Sequence, residues 1–311
     1  MAAASAPRRS VAGALALLTV GAAAACAGGE RGTSAPGSPA SAGPSVAAST
    51  DVWGSVAASI AGGDARVSSL VRGVTDPHSF EPSPAAVAEI ADATLVVFNG
   101  GGYDAWIPAV LANNATVSAV DAYSLLDAAA VGEPSPANEH VFYEINTARA
   151  VADRIAAALA DADPEHADDY RSRAASFARG ADTVLAKQKA LRDELPGAQV
   201  VATEPVAHYL LLATGVTDRT PPGFASAVEQ DTDPAPVDIA AMLDLITTRE
   251  VSALLFNDQT ATAATRGIRD AANAAGVPVV EVTETLPAGS DYLGWQSDTV
   301  DRLGAALRGQ R

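Results

Sequence analysis

Four histidines, at positions 78, 140, 166 and 208, are the only imidazoles in 311 residues, and Cys26 is the only thiol. Imidazole nitrogens serve as proton carriers near neutral pH or as ligands for divalent transition metals. One thiol rules out a disulfide framework within the chain and any Cys-x-x-Cys metal or redox pair. The chain also lacks the phosphate loop GxxxxGK[ST], the zinc-protease HExxH and the nucleophile-elbow GxSxG. Asn99-Gly100-Gly101-Gly102 follows an apolar run but does not complete GxGxxG, and it reads as a tight turn.

Position relative to β-rich runs selects among the candidates. Runs at 67–71, 94–98 and 117–120 read as strands in the first half, and runs at 199–203, 253–256 and 278–283 in the second. Ligands of parallel α/β sheets sit beyond the carboxyl ends of strands. His78 lies in the loop after the first run, and His140 follows the Pro-containing loop 132–137. Glu204 and Glu284 directly follow the runs at 199–203 and 278–283. Two imidazoles and two carboxylates, a pair from each half, make a four-residue site for a divalent transition metal. Each has an ordinary alternative: a lone loop histidine is commonly a surface group, and Glu204 or Glu284 could be a charge at a helix start or strand end. His166, in Asp163-Pro164-Glu165-His166, is expected to be an exposed residue at a helix start. His208, four residues after Glu204, is expected at the mouth of the site rather than among the ligands.

The elements that must position these residues alternate between strands and amphipathic helices, at 84–93, 147–162 and 262–275 among others, which predicts α/β units with parallel-type sheets. Ser83-Pro84 provides a helix start, and Gly276 a helix stop. Between Pro164 and Pro196, Tyr170, Phe177, Val184, Leu185, Leu191 and Leu195 recur at helical spacing. About 30 residues at 1.5 Å each make a rod of about 45 Å, enough to act as a stiff spine between two lobes. Gly180 is the only breaker within it and costs about 1 kcal/mol relative to Ala.

Ahead of these elements, Arg8-Arg9 and the apolar run ending at Ala25 have the form of a secretory signal, too short to span a bilayer comfortably. Ala23-Ala24-Ala25-Cys26 resembles a bacterial lipobox, with Ala23 where Leu is preferred, so Cys26 is the expected lipidation site. The following Gly/Ser/Pro/Ala stretch buries too little to order itself and reads as a flexible tether. The expected organisation is a leader at 1–25, a tether at 26–50, a first α/β lobe at 51–162, a connecting helix at 163–196 and a second α/β lobe at 197–311. A net charge of −17 argues against a nucleic-acid partner.

The motifs Asp76-Pro77-His78-Ser79-Phe80-Glu81-Pro82, Phe98-Asn99-Gly100, Tyr103-Asp104-Ala105-Trp106, Asn138-Glu139-His140, Thr203-Glu204-Pro205 and Thr283-Glu284-Thr285 stand in one order and spacing. Together they resemble the zinc/manganese ABC-transporter solute-binding lipoproteins (cluster A-I type), over about residues 51–311. Phe142 and Glu144 stand where that family has Trp and Asp. The resemblance implies two lobes with four-stranded sheets, one rigid connecting helix and a metal in the interlobe cleft held by His78, His140, Glu204 and Glu284. It also implies limited closure on binding, an ABC permease partner, attachment to the membrane through a lipid anchor, and a monomer with no catalytic role. Zn²⁺ is expected ahead of Mn²⁺ as the transported ligand. Glu204 in the third position and a short, His-free loop at 125–137 favour manganese, while affinity order favours zinc. A secreted zinc hydrolase and a surface adhesin are the rival readings. Metal binding is expected to weaken below about pH 6.5, where protons compete for imidazole.

Overall fold

The structure, a computed structural model, describes residues 43–309 apart from 74, 134, 135 and 231. The leader, Cys26 and most of the tether lie outside the described residues. The tether ends sooner than expected, because Ser45–Thr50 forms strand β1. This strand sits between β2 (Arg66–Val71) and β3 (Leu95–Phe98), both parallel to it. Its sequence, Ser-Val-Ala-Ala-Ser-Thr, shares the small-residue composition of the tether and so gives no strand signal. Small side chains suit it because Val46, Ala47 and Ala48 are buried in the middle of the sheet.

Helix α1 (Asp51–Ala61) joins β1 to β2, α2 (Pro84–Ala91) joins β2 to β3, and α3 (Trp106–Leu111) leads to β4 (Ser118–Asp121). The first sheet has the order β2-β1-β3-β4, all parallel. After a short helix α4 (Ala128–Val131) comes α5 (Ile145–Ala162), whose Ile145, Ala148, Val151, Ala152, Ile155 and Leu159 face the core. The Ser83 hydroxyl caps α2 by accepting from the Ala86 N–H, with Pro84 at the first helical position.

The spine is α6 (Ala167–Glu194), 28 residues long, preceded by a 3-10 turn at Pro164–His166. Its buried stripe is Tyr170, Ala174, Phe177, Ala181, Val184, Gln188 and Leu191, a strict alternation of four- and three-residue steps that keeps one face inward. At Gly180 a Cβ would come within 2.5 Å of Leu293 Cδ1 on the final helix, so a larger residue there would require that leucine tip to move.

The second sheet repeats the first. Strands β5 (Gln199–Ala202), β6 (Thr217–Asp218), β7 (Ala253–Asn257) and β8 (Val279–Val282) lie parallel in the order β6-β5-β7-β8. They are connected by α7 (His208–Thr214), α8 (Pro222–Glu229), α9 (Pro236–Thr247) and α10 (Ala263–Ala275). Helix α10 ends as expected at Gly276, whose φ of 71° is left-handed. The two-residue β6 is too short to leave a sequence pattern. Helix α11 (Tyr292–Arg308) then returns along α6, which also packs on α1, α5 and α7. In both sheets the chain leaves the first strand for one neighbour and crosses to the other side for the third, so each has a switch point at its carboxyl edge. No helix among the described residues is long and apolar enough to cross a membrane.

Candidate metal centre

The carboxyl edges of the two sheets meet at a cavity of about 170 Å³ lined by Asp76, His78, Glu139, His140, Glu204 and Glu284, among others. His78, His140 and Glu284 each offer a donor atom within 4.8 Å of the others. His78 comes from the β2–α2 loop, where its backbone N–H donates to Asp76 Oδ1 at 2.9 Å. Its Nε2 stands 3.0 Å from Glu284 Oε2, and Glu139 Oε1 lies 3.6 Å from its Nδ1. Its side chain keeps 31% of its surface open to solvent, whereas Glu284 keeps 1%.

His140 is oriented by its own loop. Asn138 Oδ1 accepts from both the His140 backbone N–H (2.9 Å) and ring Nδ1 (3.0 Å). That hydrogen bond assigns the tautomer, leaving the Nε2 lone pair facing Glu284 Oε2 at 3.8 Å. The loop is anchored to the first sheet by Asn99, whose Nδ2 donates to the Glu139 carbonyl at 2.8 Å. The three glycines after Asn99 form a turn as expected. Gly100 has φ 77°, and a Cβ there would meet Asp121 Oδ1 at 2.1 Å.

Glu204 lines the same cavity but stands outside the three-residue cluster. One of its oxygens accepts from the Thr260 hydroxyl, the other from Asn257 Nδ2 at 2.7 Å. Its backbone is extended, with φ −152° and ψ 155°, so Glu204 and His208 do not share one helical face. His208 instead meets Glu133 Oε1 at 2.7 Å. His166 lies in the turn before α6 and pairs with Asp163 at 2.7 Å.

Electrostatics divide the two imidazoles. Burial alone would lower His78, but the hydrogen bond and charge of Glu284, reinforced by Glu139 and Asp76, lift it to about 9. Burial dominates at His140 and holds it down at about 4, with Glu284 only partly opposing. Glu284 is pushed up by burial, yet His78 and His140 outweigh that and keep it below the usual carboxylate range. Glu204 is raised by burial to about 7, even with Thr260 and Asn257 donating to it. Neutral pH therefore finds a protonated His78 paired with an ionised Glu284, beside a neutral His140. Proton competition for His78 accordingly reaches well above the pH 6.5 expected from a free imidazole.

Several residues at the site escape a search for histidines and acids. Asn257 ends β7 and donates from Nδ2 to Glu204 and to Glu284 Oε1 at 2.8 Å. Tyr103 is buried edge-on to His78 at 4.6 Å and 5.8 Å from the His140 ring. Asn257 carried a readable signal: it is the polar residue closing the apolar run Ala253-Leu254-Leu255-Phe256, the same strand-end position that selects Glu204 and Glu284.

Two nitrogen donors and buried carboxylates in a cavity of this size suit a small cation, since cavities for drug-sized organic ligands run from about 300 Å³ upward. Comparison with known proteins agrees. The profile of the zinc-uptake complex component A periplasmic family (ZnuA) matches residues 46–306. A manganese-binding lipoprotein of Halalkalibacterium halodurans is 26% identical over 155 residues, half of this chain and half of that relative. A metal ABC transporter substrate-binding lipoprotein of Streptococcus mutans is 20% identical over 280 residues, covering 84% of this chain and 89% of the relative. The fold matches the periplasmic zinc-binding protein TroA of Treponema pallidum with a TM-score of 0.73 at 19% identity, over 85% of this chain and 99% of that one. With a family profile spanning both sheets and the helix between them, the chain belongs to the zinc-uptake complex component A periplasmic family.

Proposed function

We propose that this protein is an extracytoplasmic receptor that captures one divalent transition metal, zinc ahead of manganese, and delivers it to an ABC importer. The observation that carries this reading is the convergence of His78, His140 and Glu284 donor atoms within 4.8 Å where the two sheets face each other. His140 offers a bare Nε2, His78 becomes a donor on losing its proton, and Glu284 supplies anionic charge. Glu204 completes the set as the fourth ligand by a side-chain shift that turns one oxygen from Thr260 toward the cluster while the other stays on Asn257. The names of the relatives, a manganese-binding lipoprotein and a metal ABC transporter substrate-binding lipoprotein, support both the cargo and the partner.

The organisation follows from the same reading. Residues 1–25 act as a leader, Cys26 carries the lipid, and the segment from 27 to about 44 tethers a monomeric receptor beside its membrane permease. The first lobe ends near residue 162 and the second begins near 197, with α6 between them. Delivery requires no bond-making on a substrate, so no side chain needs a catalytic role, and ATP hydrolysis belongs to another subunit.

The test is competitive titration of metal-free protein with Zn²⁺ and Mn²⁺. His78→Ala and His140→Ala should each lose orders of magnitude in affinity with the fold intact, while His166→Ala binds as the parent does. A Glu204→Ala/Glu284→Ala variant that binds as tightly as the parent would overturn the ligand assignment.

A further inference from the structure

We propose that Asn257 is a positioning residue that sets metal preference, by holding the two carboxylates of the site to one-oxygen coordination and so favouring a four-coordinate zinc geometry over manganese. The inference rests on the metal-receptor reading above and concerns a residue that is not itself a ligand.

The orientation of the Asn257 amide is determined by its surroundings. Its Oδ1 accepts from the Gln259 backbone N–H at 3.1 Å, so the two hydrogens of Nδ2 must point the other way. One goes to Glu284 Oε1 at 2.8 Å and the other to Glu204 Oε2 at 2.7 Å. Asn257 as a residue is 1% exposed, and its backbone N–H donates to Thr203 Oγ1 at 3.1 Å, so the amide has little freedom to turn away. A neutral group thus stands between two acids and uses both of its hydrogens on them.

The consequence for coordination is geometric. Glu284 faces the imidazoles with Oε2 only, because Oε1 is turned to the amide. Glu204 has one oxygen on the amide and the other on Thr260, so turning off Thr260 presents one oxygen while the amide keeps the other. A carboxylate held in this way offers an ion one oxygen at a time. Two imidazole nitrogens and two single oxygens give four donors, the number zinc adopts in closed protein sites. Manganese is a harder ion that favours oxygen-rich, six-coordinate shells. In this cavity it reaches a higher number most readily when a carboxylate chelates with both oxygens. The amide opposes that chelation.

Removing the amide should therefore change the ratio of affinities and not only their size. The experiment titrates metal-free parent, Asn257→Ala and Thr260→Val competitively with Zn²⁺ and Mn²⁺. X-ray absorption at the manganese edge of each loaded protein gives the coordination number. The expected result for Asn257→Ala is a fall of about tenfold or more in the zinc-over-manganese preference, about 1.4 kcal/mol, with more oxygen neighbours around manganese. Thr260→Val, which frees only Glu204, should move the ratio the same way by less, and it keeps the test available should Asn257→Ala fail to fold. Equal weakening of both metals in the folded variants, with unchanged coordination number, would overturn the inference and leave Asn257 as packing. A parent that binds neither metal overturns the receptor reading itself, and this inference with it.

Discussion

At the scale of residues, the site works by contrast between two histidines in nearly the same place. His140 is buried and neutral with Nδ1 tied to Asn138, so its Nε2 is ready to bind. His78 is held as a cation by Glu284 and must release that proton before a metal can take its place. The sign follows: as pH rises from about 6.5 toward 9, the proton leaves more easily and apparent metal affinity climbs. Glu204, raised to about 7, adds to the same trend as it ionises. Calorimetry near pH 7 in buffers of different ionisation enthalpy should show roughly one and a half protons released per metal, one from His78 and about half from Glu204. Binding without proton release would contradict this assignment. Asn138→Ala should cost about 10- to 100-fold in affinity through loss of the fixed His140 ring, while leaving the four donors in place. As candidates, Glu204 and Glu284 were legible from their strand-end positions, and His78 and His140 from the loops that carry them. The hydrogen bonds that sort them into three clustered and one displaced were not, because they depend on Asn257 at the end of β7 and Thr260 in the following loop reaching across to Glu204.

At the scale of elements, what the sequence revealed depended on side-chain size and pattern. Helix α10 was readable to within a residue because Thr262 and Gly276 punctuate it. Strand β1 was unreadable because Ala47 and Ala48 look like linker, and their strand character comes from lying between β2 and β3. The spine was visible from its large apolar residues. Its small ones, Ala174 and Ala181, acquire meaning only from the helices packed on them. Phe177 is buried in that stripe and stacks with Tyr292 at 5.9 Å between ring centroids, tying α6 to α11. Phe177→Ala should destabilise the protein by about 3–5 kcal/mol in chemical denaturation. Metal affinity of the folded fraction should stay as in the parent, since the stripe lies away from the cavity.

At the scale of the whole molecule, the lobes are joined by more than the spine. Tyr292 and Gln296 of α11 both donate to the Phe142 carbonyl, at 2.8 and 3.1 Å, and Tyr143 donates to the Thr283 carbonyl at 3.0 Å. Asp51 accepts from the backbone N–H of Gly73 and of Leu286, and Gln259 donates to the Gly73 carbonyl. His208 meets Glu133, and Tyr209 donates to the Asn138 carbonyl at 2.6 Å. The two bonds to the Phe142 carbonyl are buried, and such links are costly to break singly, so closure should be a local adjustment around the ligands rather than the swing of a flexible hinge. Small-angle scattering should give the same radius of gyration with and without zinc. A clear contraction on loading would contradict the rigid frame.

The claim beneath all of this is that the cargo sits where the two carboxyl edges meet. Diffraction from zinc-loaded crystals at the zinc absorption edge tests it most directly. One strong anomalous peak is expected, about 2.0–2.2 Å from nitrogen of His78 and His140 and from one oxygen each of Glu204 and Glu284. A peak elsewhere on the molecule, with these four side chains unliganded, would contradict it.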